Sequence, residues 1–468
     1  MMAGTVLQFG EGNFLRAFTD WMIEMYNRRS GDRLDVTVVK PRKGEIPPVY
    51  EKQGNRYHVL LRGVTDGKPV DDRYEVGCIS RILSPYSDWD EVVRTALDDS
   101  LRFIISNTTE AGIVLDGSDR FDDAPPSSFP GKLAKLLLMR ARAKCYGGNR
   151  IYIVPHELID DNGGRLRECV EELFRIWGAE EEAIKWLETR CTFVSTLVDR
   201  IVTGHPADTL SLLGQNDGLA VCAEPYALFV IEDRDGIREA LPLDRYGLPV
   251  VFTDDVISYK LIKVRLLNGA HTSFITAAYL MGYDFVNRAV KDPDLAAFLD
   301  RMMKEAASLL PFDSTVTEDY IRSVLDRFAN PYIDHALLDI SLNSVSKWRT
   351  RCLPSLKGIY ERTGKLSGCL VFSYAALIRF MSGSMEDGSL VGNRNGETYR
   401  IRDTEEVTGF FAEHGHDGDI AGAFTERFFP DIPDRDRFVK EVSAALLKME
   451  EKGIRETLKE TLKETLYE

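Results

Sequence analysis

The chain has 468 residues and a formal net charge of −15 at pH 7. Nucleic-acid binding depends on clustered lysines and arginines that neutralise phosphates, and no basic stripe is visible, so a nucleic-acid partner is not expected. A chain of this length exceeds what one hydrophobic core normally supports, and two domains are therefore expected.

The cysteines and the N-terminus bear on the cellular compartment. Seven cysteines are spread along the chain, and no Cys-x-x-Cys pair suggests zinc or redox chemistry. The N-terminus lacks the basic and apolar segments of a secretory signal. A cytoplasmic protein with reduced thiols is the simplest expectation.

The first predicted element is a strand that leads through a glycine turn into a helix. Residues 5–9 are an apolar run, Gly10 and Gly12 follow, and apolar residues then recur at helical spacing. The two glycines match the first positions of a dinucleotide-binding fingerprint, but Leu15 occupies the place of the third. The pattern predicts either a nucleotide site or an ordinary strand-to-helix turn.

A second strand is predicted over residues 35–39, at the distance expected for a βαβ unit. It ends in Lys40, Pro41, Arg42 and Lys43 rather than in the acidic residue that would bind a ribose 2′-hydroxyl. These basic residues could accept a 2′-phosphate, or they could be solvated loop charges. NAD and NADP therefore both stay open at this point.

Further strand signals alternate with helical signals over about the first 200 residues, which predicts a doubly wound sheet. These strands are predicted over residues 57–63, 101–106, 150–154 and 193–201. The polar residues 107–110 follow one of them, at a carboxyl end where such sheets bind ligands.

Beyond residue 255 the spacing is helical. We expect a Rossmann-type dinucleotide-binding domain over residues 1–255 and an all-helical substrate and catalytic domain over residues 256–468. The long segments with helical spacing are residues 294–307, 319–328, 333–346, 368–381 and 436–452. The repeated Glu-Thr-Leu-Lys tail predicts a docked surface helix, with self-association as the alternative.

Residues 263–279 are predicted to form one buried helix that carries Lys263, Asn268 and His271. The uncharged run 266–283 raises the question of a membrane span, but several polar residues interrupt it and no second span is visible, so no membrane association is expected. At about 100° per residue, His271 lies near 80° and Asn268 near 140° from Lys263. All three can face one pocket, although each alone could be a hydrogen-bonded core residue.

A nucleotide site followed by such a helix indicates hydride transfer to or from a carbonyl. Lys263 suits the general acid or base, Asn268 can donate a hydrogen bond to the developing alkoxide, and His271 would orient the substrate or the lysine. The cluster at His414 and His416 matches no helical pair of metal ligands, so no metal is predicted.

Three motifs, in order, carry a family resemblance. Residues 8–18, the segment 198–201 and Lys263-x4-Asn268-x2-His271 resemble motifs of the polyol-specific long-chain dehydrogenase/reductase family, which includes mannitol dehydrogenase. This resemblance implies a Rossmann-type α/β domain followed by a mainly α-helical domain, no metal, and catalysis by the three helix residues. The residues implied at the cofactor are Phe9, Gly10, Gly12, Asn13, Phe14, Lys40, Ser106, Asn107, Glu110 and Asp199.

Within the family, residues 106–113, 155–160, 223–226 and 339–349 are most similar to reductases of hexuronate catabolism. The implied reaction is reversible reduction of D-tagaturonate to D-altronate with NAD(H), NADP not being excluded. A fructuronate reductase and a mannitol-type polyol dehydrogenase are the alternatives. A catalytically impaired protein that binds a sugar acid or a nucleotide is a further one, and the oligomeric state is undetermined.

The anionic hexuronate or aldonate implied by this resemblance requires a cation in its pocket. Lys347 or Arg349 could bind the carboxylate, or both could form surface salt bridges. Two positions depart from the mannitol dehydrogenase pattern. Ser195 replaces an asparagine that shares the oxyanion role, and Asp339 replaces an arginine. A serine hydroxyl can still donate, from a shorter reach.

Overall fold

The structure is a computed structural model that describes residues 3–143, 149–415 and 417–464. The chain divides into two compact units. The first comprises Met1–Arg62 with Pro69–Tyr259, and the second comprises Gly63–Lys68 with Lys260–Glu468.

A six-stranded parallel sheet organises the first unit. Its strands, in spatial order, are β5 (Ile79–Leu83), β2 (Arg33–Val39), β1 (Ala3–Phe9), β6 (Leu101–Ser106), β7 (Ile151–Pro155) and β8 (Cys191–Phe193). The chain order reverses between β1 and β6, which is the switch point at which such sheets bind dinucleotides. The predicted doubly wound sheet is therefore confirmed.

Helices cover both faces of this sheet, and neighbouring residues of one strand contribute to different cores. Val6 packs in one hydrophobic cluster and Leu7 in the other. Strands buried on both faces are continuous apolar runs, which is why β1 and β6 were recognisable. The helices of this unit and its boundary are α1 (Asn13–Ala17), α2 (Thr19–Ser30), α3 (Val49–Lys52), α4 (Trp89–Leu97), α5 (Phe129–Ala143), α6 (Asn162–Ile176), α7 (Glu181–Arg190), α8 (Thr209–Leu213), α9 (Ile237–Ala240) and α10 (Val256–Ile262).

The remaining strands within residues 57–253 form two smaller sheets. One has the order β10 (Val202–Gly204), β11 (Val221–Ala223), β3 (Tyr57–Thr65) and β4 (Lys68–Val76). The other has the order β13 (Val250–Thr253), β12 (Leu228–Glu232) and β9 (Thr196–Asp199). Short 3-10 helices lie at Glu110–Gly112 and Leu243–Tyr246.

Two single elements predicted in this unit are each divided in the structure. The helix after the glycine turn breaks at Phe18, whose backbone has φ −123° and ψ −81°. The strand predicted over residues 193–201 is β8 and β9, which belong to different sheets. The break falls between Val194 and Ser195. The Val194 N–H still donates to the Ile153 carbonyl oxygen of β7, whereas the Ser195 carbonyl oxygen accepts from the Glu232 N–H of β12.

The second unit is mostly helical, as predicted, but not all-helical. Its helices are α11 (Gly269–Leu280), α12 (Val286–Ala289), α13 (Pro293–Ala307), α14 (Ser314–Phe328), α15 (Leu337–Ile340), α16 (Ser344–Arg351), α17 (Leu353–Thr363), α18 (Gly368–Met381), α19 (Glu405–His414), α20 (Ile420–Phe428), α21 (Arg435–Lys452) and α22 (Ile454–Glu464). The helix predicted over residues 333–346 is interrupted, because Asn343 adopts a left-handed conformation with φ 56° between α15 and α16.

A small antiparallel sheet corrects the all-helical prediction. It consists of β14 (Ser384–Glu386), β15 (Ser389–Arg394) and β16 (Glu397–Arg400). Its two turns, Asp387-Gly388 and Asn395-Gly396, have positive φ at every central residue. Asp-Gly and Asn-Gly are the preferred dipeptides of such hairpin turns, so the signal was present in the sequence.

Two helices of this unit match their predictions. The side chains of α11 from Gly269 to Tyr279 are almost all buried, as expected for an interior helix. Helix α22 packs on α21, α18 and α13 with Leu458 fully buried, which confirms a docked tail helix. Leu466 of that tail lies outside the described residues. No helix in the described ranges is long and apolar enough to cross a membrane.

Candidate functional site

The turn after β1 requires glycine at position 10 and leaves space at position 12. Gly10 has φ +140°, and a Cβ there would lie 2.7 Å from Leu15 Cδ1 and 3.1 Å from the Asn107 carbonyl oxygen. Gly12 precedes Asn13, the first residue of α1, and a Cβ on it would meet no atom within 4 Å. Space beside this backbone is what close approach of a pyrophosphate needs.

Leu15 explains why the third glycine of the fingerprint is absent. Its side chain is almost completely buried in the core of the first unit. The fingerprint's third glycine allows close packing of helix on strand, whereas here α1 ends at Ala17 and a leucine fills that space. Phe14 stacks on Phe18 with ring centroids 4.9 Å apart, next to the break between the helices.

Asp20, at the start of α2, is a fully buried carboxyl group beside this turn. The Tyr57 hydroxyl donates to Asp20 Oδ2 at 3.2 Å and to the Arg16 carbonyl oxygen at 3.1 Å. Burial raises the pKa of Asp20 to about 7, although the hydrogen bond from Tyr57 and the charge of Arg16 act in the opposite direction. Asp20 Oδ1 and Gln8 Oε1 find no hydrogen-bond partner among the described residues, which is consistent with a protonated Asp20.

We expect Asp20→Asn to stabilise the protein relative to the wild type, and to do so more at pH 8 than at pH 5. The pKa of Asp20 is raised on folding, so the native state retains a proton that the unfolded chain loses, and stability falls as pH rises from about 4 to about 7. The wild-type loss is at most about 4 kcal/mol over that interval. Thermal unfolding at pH 5, 6, 7 and 8 measures it. Parallel pH profiles of the two proteins would contradict this account.

Glu157, which sequence analysis did not assign to the site, holds the loop after β6. The Ser106 hydroxyl donates to Glu157 Oε2 at 3.0 Å, and the Thr108 N–H and hydroxyl each donate to Oε1 at 2.9 Å. The Asn107 N–H donates to the Phe9 carbonyl oxygen, which ties this loop to the end of β1. The side chain of Glu110 lies outside what the structure describes.

A cavity of about 490 Å³ lies at the carboxyl ends of β1, β2 and β6. Phe9, Arg42, Thr108 and Lys132 are among the residues that line it. Burial lowers the pKa of Lys132 to about 8, and its ammonium donates to the Ser127 carbonyl oxygen at 2.7 Å. This position at the switch point is where the ligand of a doubly wound sheet is expected.

Lys40 lies at the end of β2, but its ammonium group is used within its own loop. Nζ donates to the carbonyl oxygens of Arg42 at 2.7 Å and Lys43 at 3.3 Å. Arg42 is exposed and lines the cavity. Of the basic residues considered for a 2′-phosphate, Arg42 is therefore the better placed.

The cofactor residue predicted at Asp199 is followed directly by Arg200, which has a structural role. Asp199 is buried at the end of β9. Arg200 is also buried, and its guanidinium donates to the carbonyl oxygens of Ala17 at 2.6 Å and Glu224 at 3.0 Å. Arg200 thus holds the C-terminal end of α1.

Ser195 lies in the first unit, and its hydroxyl is already engaged. It donates to Asp161 Oδ1 at 2.7 Å. Asp161 is the N-cap of α6 and has a left-handed backbone with φ 49°. A hydrogen bond from Ser195 to a substrate oxygen would require this contact to break, whereas an asparagine amide has two N–H donors.

The catalytic residues predicted on one α-helix lie instead on a π-helix followed by α11. Lys263–Asn268 is π-helical, and the Gly269 N–H donates back to the Val264 carbonyl oxygen. Residues five apart lie almost above one another in a π-helix, as residues four apart do in an α-helix. Lys263 and Asn268 are five apart, so the π-helix aligns them, whereas an α-helix would separate them by about 140°.

His271 lies three residues beyond Asn268 on α11, on the same side of the helix. Its ring stacks on Phe328 with centroids 4.1 Å apart and meets the edge of the His335 ring at 5.5 Å. Burial, and then the nearby charges of His335, Arg327, Arg351 and Lys347, hold the pKa of His271 well below its ordinary value. The imidazole therefore stays neutral at pH 7 and can both donate and accept.

The two cations predicted to bind substrate lie on different sides of α16. Lys347 is half-buried, and burial followed by the charge of Arg351 lowers its pKa. Arg349 is exposed, and its guanidinium lies 5.6 Å from the Phe429 ring centroid. Asp339, the other departure from the mannitol dehydrogenase pattern, forms an ion pair with Arg402 at 2.9 Å.

The polar cluster near His414 was the one candidate metal site that the sequence analysis considered. His414 Nδ1 lies 2.8 Å from Asp417 Oδ2, and His416 lies outside the described residues. Within the described part of the chain, no three His, Cys, Asp or Glu side chains form a possible metal site. The described cysteines, which exclude Cys145, are free thiols.

The two halves of the sequence match two known domains. Residues 4–244 match the mannitol dehydrogenase Rossmann domain, and residues 255–450 match the mannitol dehydrogenase C-terminal domain. The chain belongs to the mannitol dehydrogenase family. It is therefore an oxidoreductase that acts on CH–OH groups with a nicotinamide cofactor, for which the glycine turn and the cavity at the switch point provide a fitting site.

Relatives of this mannitol dehydrogenase family member span nearly its whole length. The altronate oxidoreductase of Shigella flexneri is 38% identical over 474 residues, covering 97% of this chain and 96% of that protein. A substrate-free D-sorbitol dehydrogenase superposes with a TM-score of 0.80 at 21% identity, covering 98% of this chain and 97% of that one. Pseudomonas fluorescens mannitol 2-dehydrogenase, solved with NAD and D-mannitol, superposes with a TM-score of 0.65 at 22% identity. The match covers 99% of this chain and 95% of that one. At these identities the solved structures establish the fold.

Proposed function

We propose that this chain catalyses the reversible reduction of D-tagaturonate to D-altronate with NAD(H). The observation that carries the chemistry is the π-helix, which aligns Lys263 with Asn268 on the face that also bears His271. The choice of substrate is supported by the similarity to altronate oxidoreductase over nearly the whole chain.

Each of the three residues has one task in this proposal. The bound nicotinamide supplies the hydride that reduces the carbonyl carbon. Lys263 donates a proton to the carbonyl oxygen, and takes it back in the oxidative direction. Asn268 donates a hydrogen bond to the oxygen as negative charge develops on it. Its side-chain amide makes no hydrogen bond to another described residue, so it is available for this role. Neutral His271 orients the substrate.

The preference for NAD(H) over NADP(H) rests on the family resemblance and on the engagement of Lys40 by its own loop. Arg42 at the cavity is the residue that could reverse it by binding a 2′-phosphate. No acidic side chain ends β2 to bind the ribose hydroxyls. We therefore expect a preference for NADH that is moderate rather than absolute.

Initial rates on a substrate panel test the proposed reaction. With NADH, kcat/KM for tagaturonate should exceed that for fructuronate, as the similarity to altronate oxidoreductase predicts. It should far exceed that for neutral fructose, because the proposed substrate site is cationic. The same rates with NADPH measure the cofactor preference. Comparable activity on fructose would contradict the uronate assignment, and faster turnover of fructuronate would favour fructuronate reductase.

One observation favours the alternative of an impaired binding protein. The Ser195 hydroxyl, which replaces an oxyanion asparagine, is held by Asp161. If no ketouronate is turned over although NADH and altronate bind, this alternative is the better description. Measurable turnover that depends on Lys263 would exclude it.

A further inference from the structure

Helix α16 presents two cations on the side that interacts with His271, and Arg349 is not one of them. Lys347 and Arg351 are four residues apart and therefore lie on one face of the helix. Arg349 lies two residues from each, on the opposite face, where it packs over Phe429. The sequence alone left the carboxylate role to either Lys347 or Arg349. Of these two, only Lys347 is on the side of α16 that interacts with His271.

Arg351 is tied directly to the helix that carries His271. Its Nη1 donates to Thr272 Oγ1 at 3.2 Å, and Thr272 follows His271 on α11. Its backbone carbonyl oxygen accepts from Arg265 Nη1, in the π-helix, at 3.3 Å. These two contacts fix the C-terminal end of α16 against the segment that bears the proposed catalytic residues.

The positive charge at this position is not neutralised by an ion pair within the part of the chain that the structure describes. No described carboxylate forms an ion pair with Lys347 or Arg351, although both side chains are half-buried. Asp403 interacts with Lys347 electrostatically, but its carboxylate accepts the N–H groups of Val345 and Thr404 near the start of α16. Among the described residues, Lys347 Nζ donates to the Ile340 carbonyl oxygen alone, at 2.8 Å.

Partly buried cations that lack a counter-ion are costly to the free protein, and an anionic ligand removes that cost. Arg351 is the better of the two for a carboxylate, because a guanidinium can donate two parallel hydrogen bonds where an ammonium acts as a point charge. The adjacent His271 ring remains neutral, so it does not compete for the anion.

We propose that Arg351, assisted by Lys347, binds the carboxylate of the sugar acid and so selects uronates over neutral ketoses. This assignment rests on the proposed function for the identity of the acid, but it makes a separate prediction about charge recognition.

Equilibrium binding of D-altronate and of its uncharged counterpart D-altritol, in the presence of NAD, tests this assignment. We expect the wild type to bind altronate at least about tenfold more tightly than altritol, which corresponds to one charge-assisted hydrogen bond or more. Arg351→Gln should weaken altronate binding by about 10- to 100-fold and leave altritol binding nearly unchanged. Arg351→Lys should recover part of the loss.

Two further variants separate this role from a general loss of charge or of folding. Arg349→Gln, on the same helix, should weaken altronate binding at least tenfold less than Arg351→Gln. Arg322→Gln removes an exposed arginine that pairs with Asp319 on α14 and serves as the charge control. Thermal unfolding and NADH binding, measured for every variant, detect a folding defect.

The outcomes distinguish the two proposals. An equal affinity of the wild type for altronate and altritol, or a larger loss from Arg349→Gln than from Arg351→Gln, would overturn the role of Arg351. Selective loss of altronate binding in Arg351→Gln supports the role of Arg351, whether or not tagaturonate is turned over. Absence of tagaturonate turnover would overturn only the proposed reaction.

Discussion

Lys263→Ala is expected to lower kcat by about 10²- to 10⁴-fold, the usual contribution of a positioned general acid or base. The reason is that Lys263 donates the proton to the carbonyl oxygen in the proposed reaction, and alanine has none to give. NADH affinity should change little, because the glycine turn and the cavity at the switch point belong to the other unit. Single-turnover rates and NADH binding, measured together, separate these effects.

Two variants control for charge and for the nature of the proton donor. Lys304→Ala removes an exposed lysine that pairs with Asp300 on α13, and should leave kcat unchanged. Lys263→Arg keeps the charge but supplies a group too basic to exchange its proton near neutral pH, so it should be nearly as slow as Lys263→Ala. A Lys263→Arg enzyme with wild-type activity would show that Lys263 acts by charge alone.

Gly10→Ala is expected to destabilise the protein by about 2 to 5 kcal/mol and to abolish measurable NADH binding. The positive φ of Gly10 strains any other residue, and the added methyl would collide with Leu15 and approach the Asn107 carbonyl oxygen. Neither neighbour can move easily, since Leu15 is buried in the core and the Asn107 N–H donates a hydrogen bond to the Phe9 carbonyl oxygen. Urea unfolding and fluorescence titration with NADH measure the two effects.

Gly12→Ala is the matched variant. Gly12 has φ −68° and open space around a Cβ, so the change in stability should stay within about 1 kcal/mol. NADH affinity should nevertheless fall by about tenfold or more, because the methyl occupies the space that a pyrophosphate would approach. Unchanged NADH affinity in Gly12→Ala would show that the cofactor does not approach this turn.

The doubly wound sheet was predictable because its signals are local. Strands buried on both faces are short apolar runs, and the glycine turn follows the first of them directly. The polar residues Ser106 and Asn107 were correctly expected at a strand's carboxyl end, beside the end of β1. Glu157 was not assigned to this loop, because its contacts with Ser106 and Thr108 bridge about fifty residues of sequence.

Two features of the second unit were not predicted from the sequence, for different reasons. The sheet β14–β16 was missed although its turns carry the Asp-Gly and Asn-Gly signals, because its strands are only three to six residues long. The π-helix could not be expected, since the α-helical pattern of residues 263–279 is compatible with either hydrogen-bonding scheme. The i,i+4 spacing of Lys347 and Arg351 is visible in the sequence and places both on one helix face. The orientation of α16 was needed to prefer Arg351 to Arg349 as a carboxylate-binding residue.

The sequence by itself determined the fold class, the position of the glycine turn and the presence of Lys263, Asn268 and His271 on one helical segment, because these depend on residues close together in the chain. Tertiary structure alone decided that the segment begins with a π-helix and that Ser195 is engaged by Asp161. It also decided that Arg351, rather than Arg349, lies beside Thr272. Those outcomes depend on packing between distant segments, which no local pattern encodes.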